Sequence, residues 1–148
     1  MIRFRKITKK NYWDIVDLNA GDNRKFVAPN SEFLLSAIFN NRLSTAKAIY
    51  YNKKPIGMTY FYNTEKYTFL AQFMIDKKYQ GKGYGTLIFP KLLNLIKRTC
   101  KPKQIELNVG RTNKFGISLY KKNGFTILKG KKKNPKEVRM ILSFSGSR

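Results

Sequence analysis

The sequence predicts one α+β domain over residues 1–148, built on a mixed, mostly antiparallel sheet. Three observations carry this expectation. Three strand-like runs at 45–51, 56–62 and 67–75 are separated by short turns, the pattern of an antiparallel meander. The run at 67–75 is then followed by a helical segment at 85–98 and another strand at 105–109. A crossover helix of this kind joins parallel neighbours. Finally, 148 residues with 42% apolar side chains are enough for one hydrophobic core and too few for two domains of ordinary size.

Taken in order, residues 2–7 alternate apolar and basic side chains, as a half-buried strand does. Thr8 can cap a helix carrying Tyr12, Ile15, Val16 and Asn19 at helical spacing. Residues 19–29 are polar and broken, so they read as a loop. Asn30 or Ser31 can cap a second helix, with Phe33, Leu34, Ile38 and Phe39 facing inward. The three meander strands follow, with turns at Asn52-Lys53-Lys54-Pro55 and Asn63-Thr64-Glu65-Lys66. The third of them, the most apolar, is expected at the centre of the sheet.

Residues 76–84 are charged and Gly-rich. Helical spacing returns through Ile88, Phe89, Leu92, Leu93, Leu95 and Ile96. Pro90 lies inside this helix, where it removes a hydrogen bond, so a kink or a short first turn is expected. Residues 105–109 alternate as a strand. Residues 112–123 form a helix that Gly124 stops at the C′ position. Residues 124–128 and 138–144 complete the sheet, joined by the basic loop Lys129-Gly130-Lys131-Lys132-Lys133-Asn134-Pro135-Lys136. The tail 145–148 reads as flexible. The order is β-α-α-β-β-β-α-β-α-β-β.

Composition narrows the chemistry. The chain contains 31 Lys and Arg, 8 Asp and Glu, one Cys and no His. Without an imidazole there is no Ser-His-Asp or Cys-His unit. Without His or clustered Cys, zinc, copper and haem sites are not expected either. A lone Cys closes no intrachain disulfide and fits a reducing compartment. No apolar run approaches a membrane span, and the first residues lack the apolar stretch of a signal peptide. A cytoplasmic domain is expected.

The net charge of +23 is unevenly placed. Residues 1–74 carry 12 basic and 5 acidic side chains, whereas residues 75–148 carry 19 and 3. Residues 11–40 run the other way, with Asp14, Asp17, Asp22 and Glu32 against Arg24 and Lys25. This division suits a protein that takes one anionic and one cationic ligand. Chance clustering on two helix surfaces, or a Lys-rich compositional bias, gives the same division.

The most specific stretch is Gln80-Gly81-Lys82-Gly83-Tyr84-Gly85, between an apolar strand and a helix. Glycines let backbone amides approach a ligand closely, and the helix start adds unpaired N–H groups with a partial positive charge. Together they make a phosphate cradle. The dinucleotide pattern G-x-G-x-x-G fails at Thr86, and the P-loop fails because no Gly-Lys is followed by Ser or Thr. The pattern that fits is Q-x-x-G-x-G.

Phe73-Met74-Ile75-Asp76, the spacer Lys77-Lys78-Tyr79 and this loop resemble the coenzyme A signature of the GNAT superfamily of N-acetyltransferases. Ser118-Leu119-Tyr120-Lys121-Lys122-Asn123-Gly124-Phe125 resembles the second hallmark of that family. The resemblance implies a sheet with helices on both faces and one splayed parallel pair. It implies acetyl-CoA as co-substrate and no metal. Main-chain groups of Phe73, Met74 and Ile75 would pair with pantetheine, with one N–H polarising the acetyl carbonyl. Amides across Gln80, Gly81, Lys82, Gly83, Tyr84 and Gly85, with Thr86 close by, would hold the pyrophosphate. Asn113 would contact the cofactor, and Tyr120, seven residues on and on the same helix face, would be the general acid for the leaving thiolate.

A nearer resemblance is to bacterial spermine/spermidine and diamine acetyltransferases, carried by residues 22–31 and by Met74-Ile75-Asp76 with Gln80. It implies a polyamine or another small amine, with Asp22, Asn23 and Glu32 at the acceptor site. In these relatives a charged residue often stands where this chain has Ala71-Gln72. Two alternatives remain. One is acetylation of a ribosome-associated protein N-terminus. The other is a non-catalytic module whose basic surface binds an acidic macromolecule such as nucleic acid. A monomer or homodimer is expected, with no membrane partner.

Overall fold

A computed structural model describes residues 1–21, 29–40, 42–130 and 135–144. The acceptor candidates Asp22 and Asn23, the middle of the basic loop and the tail 145–148 lie outside the described residues. The elements are β1 (Ile2–Lys6), α1 (Tyr12–Val16), α2 (Asn30–Phe39), β2 (Ser44–Tyr51), β3 (Lys54–Asn63), β4 (Thr68–Ile75), α3 (Tyr84–Cys100), β5 (Gln104–Gly110), α4 (Lys114–Lys122), β6 (Thr126–Ile127) and β7 (Glu137–Ser143). The predicted order is the observed one, with a 3-10 turn at Lys77–Tyr79 added before α3.

The strands form one sheet in the order β1-β2-β3-β4-β5-β7-β6. Every pair is antiparallel except β4 with β5. α1 and α2 cover one face, around Ile15, Met58, Tyr60 and Met74. α3 and α4 cover the other, around Phe61, Leu70, Phe89, Leu92, Leu107 and Leu119.

The feature that shapes the site is a bulge in β4. Tyr60 pairs with Gln72 and Phe61 with Leu70, so Ala71 has no partner. An extra residue reverses the in–out alternation beyond it. Leu70 therefore packs among the α3 and α4 side chains, while Met74 packs under α1 and α2. Pairing with β5 ends at the same point, after Thr68↔Ile105, Phe69↔Glu106 and Leu70↔Leu107. Past Ala71, the β5-facing edge of β4 is open.

Both ends of this opening are fastened. At the paired end, Arg139 Nε donates to Glu106 Oε1 at 2.8 Å, and its other nitrogens reach Asn108 Oδ1 and the Tyr67 hydroxyl. Its guanidinium lies over Phe69, 4.5 Å from the ring centre. At the open end, buried Asp76 accepts from the N–H groups of Asn19 (2.9 Å) and Lys78 (3.0 Å). Gln80 Nε2 donates to the carbonyls of Ala20 and Ile75. The start of the α1–α2 connection is thus latched onto the end of β4.

Several local expectations are corrected. The first helix is short and its N-cap is Asn11; the Thr8 hydroxyl accepts from Lys10 in a preceding turn. The N-cap of α2 is Pro29, so neither Asn30 nor Ser31 fills that role. Asn30 is buried, donating to Ile15 O and accepting from Gln72 Nε2, and so ties α1, α2 and β4 together. Ile38 and Phe39 are 67% and 81% exposed, because only the earlier turns of α2 reach the core with Phe33 and Leu34. α3 spans Tyr84–Cys100 with Pro90 inside it, so Pro90 does not cut the first turn short. Pro90 and Thr86 both face outward, so water can take the carbonyl that the ring leaves unpaired. The strand expected at 124–128 is reduced to Thr126–Ile127, with Gly124 at a φ of +95° directly after α4.

Gly57 in β3 fits tightly against β4, since a methyl group there would overlap the Met74 carbonyl oxygen. Gly57→Ala must therefore displace the strand at the opening. It is expected to destabilise the fold by about 1–3 kcal/mol, read as a lower urea midpoint. An unchanged midpoint would show that the two backbones do not approach so closely.

Candidate functional site

A cleft of about 490 Å³ lies where β4 ends, α3 begins and α4 passes beside them. Of the residues singled out in the sequence, Phe73, Met74, Ile75, Gln80, Gly81, Gly83, Tyr84, Gly85, Thr86, Asn113 and Tyr120 border it. The Lys82 side chain is exposed and outside its wall. Glu32 sits exposed in the first turn of α2 and does not border the cleft either.

The loop is shaped by two glycines in the left-handed region, Gly81 at a φ of +73° and Gly83 at +84°. Other residues adopt this conformation only at a cost. Gly83 is the N-cap of α3. The N–H groups of Gly81, Lys82 and Gly83 have no backbone acceptor among the described residues. Those of Tyr84, Gly85 and Thr86 belong to the first helical turn, which has none within the helix. The loop thus gathers open donors at the positive end of a 17-residue helix. Gln80 differs, because its N–H bonds to Lys77 O and its side chain braces the loop.

Strand geometry gives further donors. Asp76 N–H donates to Ile56 O in β3 at 2.7 Å. Alternate residues of a strand direct their backbone groups to the same neighbour. Met74 therefore faces β3, while Phe73 and Ile75 direct theirs into the opening. Gln80 takes up the Ile75 carbonyl. The Phe73 groups and the Ile75 N–H face the cleft.

α4 supplies the opposite wall. Asn113 is its N-cap, with the carboxamide oxygen accepting from Gly116 N–H at 2.9 Å. The residue also borders the cleft. The Tyr120 ring packs against Phe89, with centroids 5.1 Å apart, and against Phe125 at 6.0 Å. Burial pushes its phenol up to about 12.

Ala20, Tyr79, Phe115, Gly116 and Leu119 also border the cleft and were missed in the sequence. Phe115 had a signal, being an apolar residue at the start of an otherwise polar helix turn, and it is 69% exposed beside Gly85. Ala20 had none, since its place depends on the Asp76 latch. Among the described residues no helix is long and apolar enough to cross a membrane.

Comparison with known proteins agrees with this geometry. The Acetyltransferase (GNAT) family matches residues 12–125. A spermine/spermidine N(1)-acetyltransferase of Bacillus subtilis is 25% identical over 132 residues, covering 84% of this chain and 87% of the relative. The structure of a Vibrio cholerae spermidine N-acetyltransferase, in complex with CoA and spermine, superposes with a TM-score of 0.77 at 19% identity, covering 96% and 95%. A ribosomal-protein-S18-alanine N-acetyltransferase from Escherichia coli gives 0.73 at 18%, covering 99% and 97%. The same architecture thus serves proteins named for small and for macromolecular acceptors, and the fold alone does not choose between them. With the family match spanning most of its length and the splayed β4–β5 pair at its centre, this chain belongs to the GNAT family, the acetyl-CoA-dependent N-acetyltransferases.

Proposed function

We propose that the protein transfers an acetyl group from acetyl-CoA to a primary amine of a small polycation of the polyamine type. One observation carries the cofactor half of this reading. The open amides of Gly81 and residues 83–86, the backbone groups of Phe73 and the Ile75 N–H meet at one cleft that ends at Tyr120. The amides at the helix start suit the pyrophosphate, with Thr86 beside them. Phe73 and Ile75 suit the pantetheine arm, with Met74 bordering the cleft but its backbone turned to β3, and an N–H of this strand suits the thioester oxygen as negative charge develops on it. Asn113 adds a contact from α4. The polyamine half rests on the likeness to the curated Bacillus relatives and on the acidic α1–α2 segment. Glu32, Asp22 and Asn23 remain the proposed acceptor contacts.

In the reaction the neutral amine attacks the thioester carbonyl. The N–C bond forms, the C–S bond breaks, and the ammonium proton leaves to solvent. The chain has no imidazole to take that proton. Tyr120, held at about 12, lies well above an ordinary thiol near ~8.5. It keeps its proton and stabilises the departing thiolate by donating a hydrogen bond.

Tyr120→Phe should lower kcat about 100-fold while changing CoA affinity far less. An unchanged kcat would remove Tyr120 from the reaction. In the unaltered protein, activity should rise with pH as the acceptor amine loses its proton. Loss of the phenol proton should not reverse this rise until the pH nears about 12. A descending limb near neutrality that the Phe variant lacks would contradict that assignment.

Acetyl-CoA should raise the melting temperature, and free CoA should appear with spermidine faster than with a neutral amino acid amide or an alanine-led peptide. Equal rates across that panel would overturn the polyamine reading. Absence of a thermal shift would overturn the cofactor assignment.

A further inference from the structure

We propose that the outer edge of β1 is a docking site for an acidic peptide segment of a partner protein, which would add to the sheet as an eighth strand. Among the described residues, β1 ends the strand order and has a neighbour only on the β2 side. Asn52 N–H donates to Met1 O, so residues 1, 3 and 5 direct their backbone groups to β2. By alternation Ile2, Phe4 and Lys6 direct theirs outward. Asn11 Nδ2 already occupies the outward carbonyl of Lys6. The outward N–H and C=O of Ile2 and Phe4 have no partner strand among the described residues.

Beside this edge runs a groove of about 550 Å³ between β1 and α3. Ile2, Arg3, Phe4 and Arg5 of β1 line one side and Lys91, Asn94, Leu95 and Arg98 of α3 the other. Because the Arg5 guanidinium lies over the Tyr50 ring, the positive charge on the groove comes mainly from Lys91 and Arg98. The α3 residues are spaced as one helical stripe, about 10 Å from Lys91 to Arg98, the reach of about three residues of extended chain. No acid balances these charges in sequence: residues 1–13 and 77–105 contain no Asp or Glu. The one ion pair among the described residues is Glu106 with Arg139, in β5 and β7.

The occupant follows from these two features together. An open edge is a hazard unless something rejects the wrong strand, and edge cations commonly do so. Here they repel a second copy of this strongly basic chain and attract a strand carrying carboxylates. Nucleic acid would satisfy the cations and the N–H groups, but its phosphates offer no donor to the Ile2 and Phe4 carbonyls. An extended peptide satisfies both kinds of backbone group, as strand addition does elsewhere.

The test uses the full-length protein and a fluorescein-labelled eight-residue peptide alternating Glu and Val, at ionic strength near 0.15 M. Binding should be saturable, and hydrogen exchange at the amides of Ile2 and Phe4 should slow when it is bound. The same peptide N-methylated at alternate residues keeps its charge but loses one hydrogen-bonding edge, and should bind at least about tenfold more weakly. The double variant Lys91→Glu, Arg98→Glu should also lose at least about tenfold. Its acetyl-CoA binding should be unchanged, because neither residue borders the cofactor cleft. Equal binding of the methylated peptide, unchanged exchange at Ile2 and Phe4, or preferential binding of an oligothymidylate of the same charge would each overturn the proposal.

Discussion

The unpaired residue Ala71 is the constraint on which the rest of the structure depends. A parallel pair normally stays paired along its length, because each open N–H and C=O removed from water needs a partner. Here the pairing stops after three residues, and the β5-facing edge of β4 is left open in the middle of a sheet. The fold tolerates this because both ends are fastened independently. Arg139 with Glu106 holds the paired end, and Asp76 with Gln80 holds the open one. The bulge also reverses the facing of β4, so one strand serves both cores. In a regular strand Leu70 and Met74 would share one face, and pairing with β5 could continue across the opening.

Electrostatics divides along the same line. The glycine loop, Lys77, Lys78 and the start of α3 form a positive end suited to a phosphorylated ligand. In sequence, residues 11–40 hold half of the acids in the chain. The total charge is thus less informative than its placement. Some of the cations have local tasks. Arg139 neutralises Glu106, and Arg5 lies over the Tyr50 ring at 4.7 Å.

The element order, the mixed sheet and the glycine loop at the start of α3 were legible because they depend on local signals. Period-two runs, helical spacing and the glycine loop need no knowledge of distant contacts. The glycines at 81 and 83 are required by their own backbone angles. What the sequence did not disclose depends on tertiary contacts. Asn30 looks like a cap and is a buried bridge, because Pro29 takes the cap and Gln72 lies opposite. Ala20 enters the cleft only through the latch to Asp76 and Gln80. Gly57 carries no local turn signal, and its need for glycine comes from the Met74 carbonyl across the sheet. Ile38 and Phe39 follow helical spacing correctly but lie in turns of α2 that the core does not reach.

The chemistry places an unusual weight on that geometry. In the proposed reaction, with no imidazole in the chain and a tyrosine that keeps its proton, proton transfer contributes modestly. General acid assistance supplies about 10²–10⁴-fold in rate, roughly 3–5 kcal/mol. One oxyanion donor contributes about 3–4 kcal/mol. Holding two reactants in line can contribute about 7–11 kcal/mol. Positioning is therefore the largest source of rate available to this site, and it depends on where the backbone of β4 lies. A displacement of about 1 Å there costs about 100-fold in rate. On the proposed reaction, the bulge that opens the strand and the contacts that fix its two ends are thus part of what positions the reactants, although Ala71 carries no reactive group.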